Sequence, residues 1–461
     1  MILSFIQKAV ELSNHFLWDY LLLFLLCGTG IYFTFRLKFI QVSQFGESFR
    51  RTFGGIRLRG AKADGRGMSS FQSLATAVAA QVGTGNLAGA ATALIGGGPG
   101  AIFWMWLSAF FGMATIFAEA TLAQKYKTTR DGEVTGGPSY YIQAAFQGQF
   151  GKVLATIFSI LVICALGFMG NMVQSNSIGA AFQNAFEIPP LAVGVIVAAA
   201  AGFIFLGGVR RIASVTEKIV PIMALFYIVG AMVIIIVNFR RIPDAFSQIF
   251  TGAFSPQAVT GGVMGITVQK AIRFGVARGL FSNEAGMGST PHAHAIAKVK
   301  EPCDQGIVAM MGVFIDTFII LTLTALVVLV TGVLPRGYSG ELEGIALTQA
   351  GFESVFGRGG TIFIAVCMLF FAFSTIIGWY FFGEVNIRSL FGKKGVKIYA
   401  LLVCVFVAVG STLKVDLVWS LSDTFNGLMV IPNLLSLLSL SGTVSRLYQS
   451  YGKKKQIKEA S

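Results

Sequence analysis

The sequence predicts an all-α polytopic membrane protein with about eleven transmembrane helices, and three observations carry that prediction. Its 461 residues are 54% hydrophobic and only 12% charged, whereas a soluble domain carries about 25% charged residues. Mean hydropathy is +0.72. Apolar runs near or above the roughly 20 residues that cross a bilayer core recur along nearly the whole chain. The expected spans are 16–36, 69–96, 99–124, 152–184, 190–208, 213–238, 258–290, 304–333, 360–386, 396–413 and 416–445. The first run lacks a clear small-residue cleavage site and more spans follow, so it reads as a retained helix rather than a signal peptide.

Eleven crossings put the termini on opposite sides. Lys and Arg gather in the cytoplasmic loops. With the N-terminus outside, the inside segments hold 26 basic residues and the outside segments 6. The expected orientation is therefore an outside N-terminus and a cytoplasmic C-terminus in the cell membrane. The net charge of +14 is then topogenic and faces an anionic inner leaflet, not nucleic acid. The five cysteines, Cys27, Cys164, Cys303, Cys367 and Cys404, form no CxxC pair, which argues against a disulfide framework or zinc site. No HExxH, nucleophile with base or cofactor loop is present, so neither an enzyme nor an organic cofactor is expected.

The second span is interrupted at Gln81-Val82-Gly83-Thr84-Gly85-Asn86. Glycine weakens a helix, and free backbone groups are tolerated at membrane depth only where they are buried or line a cavity. Thr84 is about 15 residues into the span, roughly 22 Å along it and near the bilayer midplane. Exposed carbonyls such as that of Val82 suit a cation, as does the amide oxygen of Asn86. The N–H groups that open the following half-helix suit a carboxylate. Close helix packing through small residues explains the same residues. The seventh span is broken in a similar way around Phe281, Ser282 and Asn283. The two interrupted spans lie five apart, the pattern of two inverted five-helix halves that each begin with a discontinuous helix. One membrane domain is expected over 1–461: an extra helix at 16–36, halves at about 69–238 and 258–445, and a basic tail at 446–461.

Other spans place polar groups at similar depth. Ser374 and Thr375 offer paired hydroxyls to a hard cation, or bond back to their own helix. Trp379 lies one turn from Thr375 and either walls a small pocket or fills the bundle. Phe168 and Gln174 could give an amino acid an apolar wall and a polar handle, with interhelical hydrogen bonding as the alternative. Arg278 and Glu284 are ionisable at membrane depth, and a mutual or structural ion pair beside the break is favoured over substrate contact. Asp316 has two readings, a cation site or structural pairing. Glu119 reads as interfacial. His292 and His294 form an HxH without a supporting Cys or carboxylate cluster, so a metal site there is disfavoured.

The runs Gly97-Gly-Pro-Gly-Ala-Ile-Phe-Trp-Met-Trp-Leu107, VGTGN at 82–86, NMVQSNS at 171–177 and FSNEAGMGS at 281–289 resemble the alanine/glycine:cation symporter family, over nearly the whole chain. The resemblance implies a LeuT-type fold and sodium-driven uptake of alanine or glycine. LeuT is the reference example of the inverted-repeat arrangement. It further implies that Gly83, Thr84 and Gly85 meet the substrate carboxylate, and Asn86 and Ser282 a sodium ion. The carbonyls of Ala79 and Val82, with the hydroxyls of Ser374 and Thr375, would form a second sodium site. Gln81, Phe168, Gln174, Phe281, Asn283 and Trp379 complete the candidate substrate pocket. The expected partners are the amino acid, sodium and the bilayer, with no obligatory protein partner. Two rival readings are proton coupling through Glu284 or Asp316, and a channel, which needs a continuous polar pore rather than polar groups at one depth.

Overall fold

The computed structural model describes residues 2–54, 67–130, 132–255 and 267–460. The start of the expected seventh span, 258–266, and Arg57, Arg59, Lys62 and Arg66 of the first basic loop lie outside the described residues. Among the described residues, six helices are long and apolar enough to cross a bilayer: Val10–Arg36, Gly100–Lys125, Gly148–Phe186, Gly208–Val237, Pro302–Thr331 and Arg358–Gly410. Pro190–Phe205 is shorter but equally apolar. Arg358–Gly410 covers two expected spans, which meet at Gly392, whose φ of +71° no helix accommodates.

The second span is the bent pair Ser70–Gln81 and Gly85–Gly97, inclined at 47°. A capping box starts it: the Ser69 hydroxyl accepts from Gln72 N, and the Gln72 side chain accepts from Ser69 N. It stops at Val82, which is extended at φ −82° and ψ 92°. The seventh span is helical from Val268 to Asn283, then stops at Glu284 in the left-handed region, φ 57°. Gly286 at φ 91° and Gly288 at φ 79° carry the chain through the unwound stretch, and Pro291–Ala295 resumes as barely one turn. The break after Asn283 is thus a longer non-helical segment than the sequence suggests.

The two broken helices lie against each other. A side chain on Gly85 would stand 2.9 Å from Ser282 Cα, so only glycine permits this approach. The start of the second span and the end of the seventh join through Met68 N to Ile296 O at 3.0 Å and Lys298 N to Met68 O at 2.9 Å. The remaining spans enclose this pair. The extra first helix is tied to the last span, with Asn14 Nδ2 donating to Ser420 O at 2.8 Å and Trp18 Nε1 to Asp423 O at 3.2 Å. Arg273, on the seventh span, pairs with Asp19 of the extra helix at 2.7 Å.

Polarity is distributed as in a membrane protein. Large apolar side chains such as Phe203, Leu206, Ile222, Leu225 and Leu401 are exposed, while Asn86, Asp316, Ser374 and Glu284 are buried. A small antiparallel hairpin, Thr128–Arg130 with Glu133–Thr135, accompanies the helices. The basic tail lies on a helix that starts at Ser441, bent 57° from the last span at Leu440. Such a basic helix suits a membrane surface. The five cysteines are free.

Candidate functional site

Helix ends at the two breaks leave backbone groups unpaired, and side chains from three further spans converge on them. At the first break, Thr84 donates through both its N–H (3.0 Å) and its hydroxyl (2.7 Å) to Gln174 Oε1. Gly83 N donates to Asn86 Oδ1 at 2.9 Å. The Asn86 amide then donates to Asp316 Oδ1 at 2.7 Å and Asp316 O at 3.1 Å. Ser282, at the second break, donates to the same Asp316 Oδ1 at 2.9 Å, and Thr317 to Oδ2 at 2.9 Å. Asp316 therefore joins the two breaks. It is fully buried and surrounded by donors, with no Lys or Arg side chain bonded to it among the described residues.

A second oxygen cluster lies on the N-terminal side of the first break. Thr375 Oγ1 is 2.9 Å from Ala79 O and 3.4 Å from Val82 O, and Ser374 Oγ is 3.4 Å from Ala79 O. Both hydroxyls also bond back to Phe371 O, at 3.1 and 2.8 Å. Five oxygens thus face one another without a charged group among them. Oxygen-only donor sets suit hard cations. Gly83 is confined here: an added Cβ would strike Thr375 Oγ1 and stand 3.0 Å from Gln174 Oε1. Gly83→Ala is expected to cost about 1–3 kcal/mol through overpacking. A lowered apparent melting temperature, together with lost transport, would record it.

Other candidates serve the breaks. Gln81 Nε2 donates to Asn283 O at 2.7 Å, so Gln81 faces the second broken helix rather than the Thr84 donors. Asn283 accepts from Ala285 N at 3.1 Å and donates to Thr317 Oγ1 at 3.1 Å, which fixes the turn. Phe281 packs edge-on against Trp379, with centroids 5.7 Å apart. Trp379 Nε1 donates to Glu284 Oε1, and its ring lies over Gly170. Phe168 stands apart from this group: its ring packs on Phe406 at 4.6 Å and Tyr399 at 5.8 Å.

The ionisable groups take definite partners. Of the two pairings open to Arg278, mutual or structural, it makes a structural one and does not pair with Glu284. It makes a bidentate pair with Asp423 of the last span, at 2.9 and 2.7 Å, and lies over Trp419 at 4.5 Å. Arg278→Lys removes the fork and the stacking while keeping the charge, so a loss of about 1–3 kcal/mol is expected, read as a lower melting temperature with sodium dependence retained. Glu119 is fully buried and accepts from Gly286 N at 3.0 Å, Gly288 N at 2.9 Å and Asn433 Nδ2 at 2.7 Å, clasping the unwound segment. Tyr141, which sequence reasoning did not single out, holds Asn433 in place at 2.5 Å. His292 and His294 are buried, His292 between Phe158 and Phe382 and bonded to Ser289 O, and no metal-type cluster of His, Cys, Asp and Glu occurs among the described residues.

Among the described residues four short π-helical stretches occur, and three carry or adjoin these groups: Gly85–Gly89 holds Asn86, Ile163–Gly170 precedes Asn171 and Gln174, and Phe314–Leu321 holds Asp316 and Thr317. Such widened turns recur at functional sites because they free a backbone carbonyl and re-aim a side chain.

Comparison with known proteins agrees with this geometry. The chain is similar to the sodium/alanine symporter AgcS of Methanococcus maripaludis, 42% identical over 95% of each chain. It is 41% identical to the amino-acid carrier protein AlsT of Bacillus subtilis, over 98% of this chain and 94% of that one. It is 40% identical to the probable sodium/glutamine symporter GlnT of the same organism, over 98% and 92%. Among solved structures, MhsT in complex with L-phenylalanine matches with a TM-score of 0.59 over 85% of this chain and 98% of that one, at 14% identity. A manganese transporter of Eremococcus coleocola matches at 0.51 over 80% and 75%, also at 14% identity. These matches show a LeuT-type transporter fold. The sequence pattern of the sodium:alanine symporter family covers residues 3–461, and the chain belongs to that family.

Proposed function

We propose that the protein couples sodium entry to uptake of a small neutral amino acid, alanine or glycine, by alternating access. The observation that carries this reading is the convergence of both helix breaks on one buried set of donors and oxygens. The two Thr84 donors that meet Gln174 Oε1 are suited to a substrate carboxylate, since two N–H and O–H groups converge on one oxygen. Gln174 then acts as the placeholder that a carboxylate displaces. One sodium would sit between Asn86, Ser282 and Asp316, with the Asn86 amide turned so that its oxygen faces the ion. A second would take the carbonyls of Ala79 and Val82 with Ser374 and Thr375.

The fixed parts are the enclosing spans, and the moving parts are the broken helices joined at Asp316. With sodium outside and the N-terminus outside, both ions and the amino acid bind at the breaks and leave toward the basic loops. One positive charge moving down 100 mV supplies about 2.3 kcal/mol, and a tenfold gradient about 1.4 kcal/mol more. A single coupled ion therefore drives substantial accumulation.

Labelled alanine uptake into proteoliposomes tests the reading, with and without an inward sodium gradient, for the wild type and Asn86→Ala. Sodium-dependent accumulation that the variant loses is expected, and equal uptake under all conditions would refute it. Proton coupling is the second reading. It draws support from Glu119, Glu284 and Asp316, three fully buried carboxylates whose hydrogen-bond partners among the described residues are all donors. Uptake that persists without sodium and collapses with a protonophore would favour it.

A further inference from the structure

A chamber of about 520 Å³ opens between the paired strands Thr128–Arg130 and Glu133–Thr135, the start of the helix Gly208–Val237, Gly67 and Ile296 beside the bridge of Met68 with Ala297, and residues 381–389. It lies beside the start of the second span and the end of the seventh, because Met68 and Ile296 are where those ends join. From Thr375, at the break, to Glu384, in the chamber wall, the same helix runs nine residues, roughly 14 Å. A solute leaving the break toward the basic loops meets this space next.

The chamber is lined by charges of both signs: Arg130, Glu133, Arg210, Glu384 and Arg388. They are unequally committed. Arg388 bridges Glu133 and Glu384, reaching Glu384 Oε1 at 2.8 Å. Glu384 Oε2 makes no hydrogen bond although the residue is only 3% exposed, with the Tyr380 side chain as its polar neighbour. A buried carboxylate oxygen without a donor is costly to maintain and marks a position where a donor fits. Arg130 donates from one guanidinium nitrogen to Ser389, at 3.0 Å to the carbonyl, and pairs with no carboxylate among the described residues. Guanidinium has five N–H donors, so Arg130 retains several.

We propose that this chamber is a second, weaker amino-acid site on the exit route, which takes the ligand as a zwitterion: its ammonium on Glu384 and Glu133, its carboxylate on Arg130. The proposal rests on the symport reading for the identity of its ligand. An anion alone would leave Glu384 Oε2 unpaired, and a cation alone would leave Arg130 unneutralised. Only a ligand carrying both charges satisfies both. The site is weaker than the break because Arg130 is exposed and its charge is screened.

Equilibrium binding of labelled alanine to the purified full-length protein tests it, with and without sodium. The expected result is about two alanines per protein, one tight and sodium-dependent, the other weak and sodium-independent. Glu384→Gln and Arg130→Ala should each remove the weak component and leave the tight one. Arg130→Ala, at an exposed hairpin position, keeps the test open if Glu384→Gln does not fold. Propionate, which has the carboxylate but no ammonium, should not displace the weak component. Saturation at one alanine in all forms, a weak component that survives both variants, or its displacement by propionate would overturn the proposal. Failure of the symport reading gives a different result, the absence of the tight sodium-dependent component.

Discussion

Replacing Asp316 with Asn is expected to shift sodium-driven uptake to far higher sodium concentration while leaving a folded protein. Asp316 Oδ1 receives both the Asn86 amide of the first broken helix and the Ser282 hydroxyl of the second, so one carboxylate oxygen holds the two broken helices together. Asparagine is nearly isosteric and can still accept one of those bonds, but it removes the negative charge. A buried cation that loses its charged partner loses roughly 3–5 kcal/mol. At 1.4 kcal/mol per tenfold, apparent sodium affinity should fall on the order of 10²- to 10³-fold. The check is the sodium concentration for half-maximal uptake, measured beside the melting temperature without sodium. Unchanged sodium affinity would remove Asp316 from the ion site and leave it a structural tie. Ser374→Ala offers the contrast. It removes one neutral ligand from the other cluster, where the lost interaction is only about 0.5–1.5 kcal/mol, so its shift should be far smaller.

The first break was legible because glycine and polar side chains interrupt an apolar run, and Val82 leaves the helix there. The bond from Gly83 N to the Asn86 amide oxygen was not legible, since the pattern only offered that oxygen to a cation. The oxygens of Ala79, Val82, Ser374 and Thr375 lie together, on spans that no local pattern links. Local pattern failed where a partner lies far away in sequence. Arg278 and Glu284 are six positions apart, about 240° around a helix, so they diverge, and Glu284 stands past the helix end. The true partner of Arg278, Asp423, is separated from it by 145 residues, and no spacing rule reaches that far. Phe168 and Gln174 diverge for the same angular reason, and the widened turn at Ile163–Gly170 shifts the register again. Glu119 was not legible as buried, because the span alone shows depth and not what covers its end. It lies about 28 Å from the start of Gly100–Lys125, near an expected interface. The unwound segment and Asn433 cover that end and bury the carboxylate.

Trp379→Ala should have the second large effect, and its two consequences can be separated. The indole fills the space between Phe281 and Gly170, and an added side chain on Gly170 would run into it. Removing so large a buried ring costs about 3–5 kcal/mol and opens a void. If Trp379 walls the substrate pocket, that void should admit larger side chains, so leucine or phenylalanine should compete with alanine where they do not in the wild type. The indole N–H is also one of two donors to Glu284, the other being Ser289 at 2.5 Å. Glu284 already sits in a left-handed conformation that only a well-supported residue holds. Trp379→Phe keeps much of the bulk and removes only the donor, so it should lower stability by about 1–3 kcal/mol without broadening selectivity. Combining Trp379→Phe with Glu284→Gln, which neutralises the carboxylate left without its donor, should recover part of that loss, because the two residues share one bond. Competition assays on the three variants thus distinguish a wall from a tie. Broadened selectivity in Trp379→Ala alone makes the indole the limit on substrate size. Unaltered selectivity in Trp379→Ala would reduce it to packing and assign the size limit to the glycine-lined first break, where a side chain on Gly83 would already meet Thr375 and Gln174.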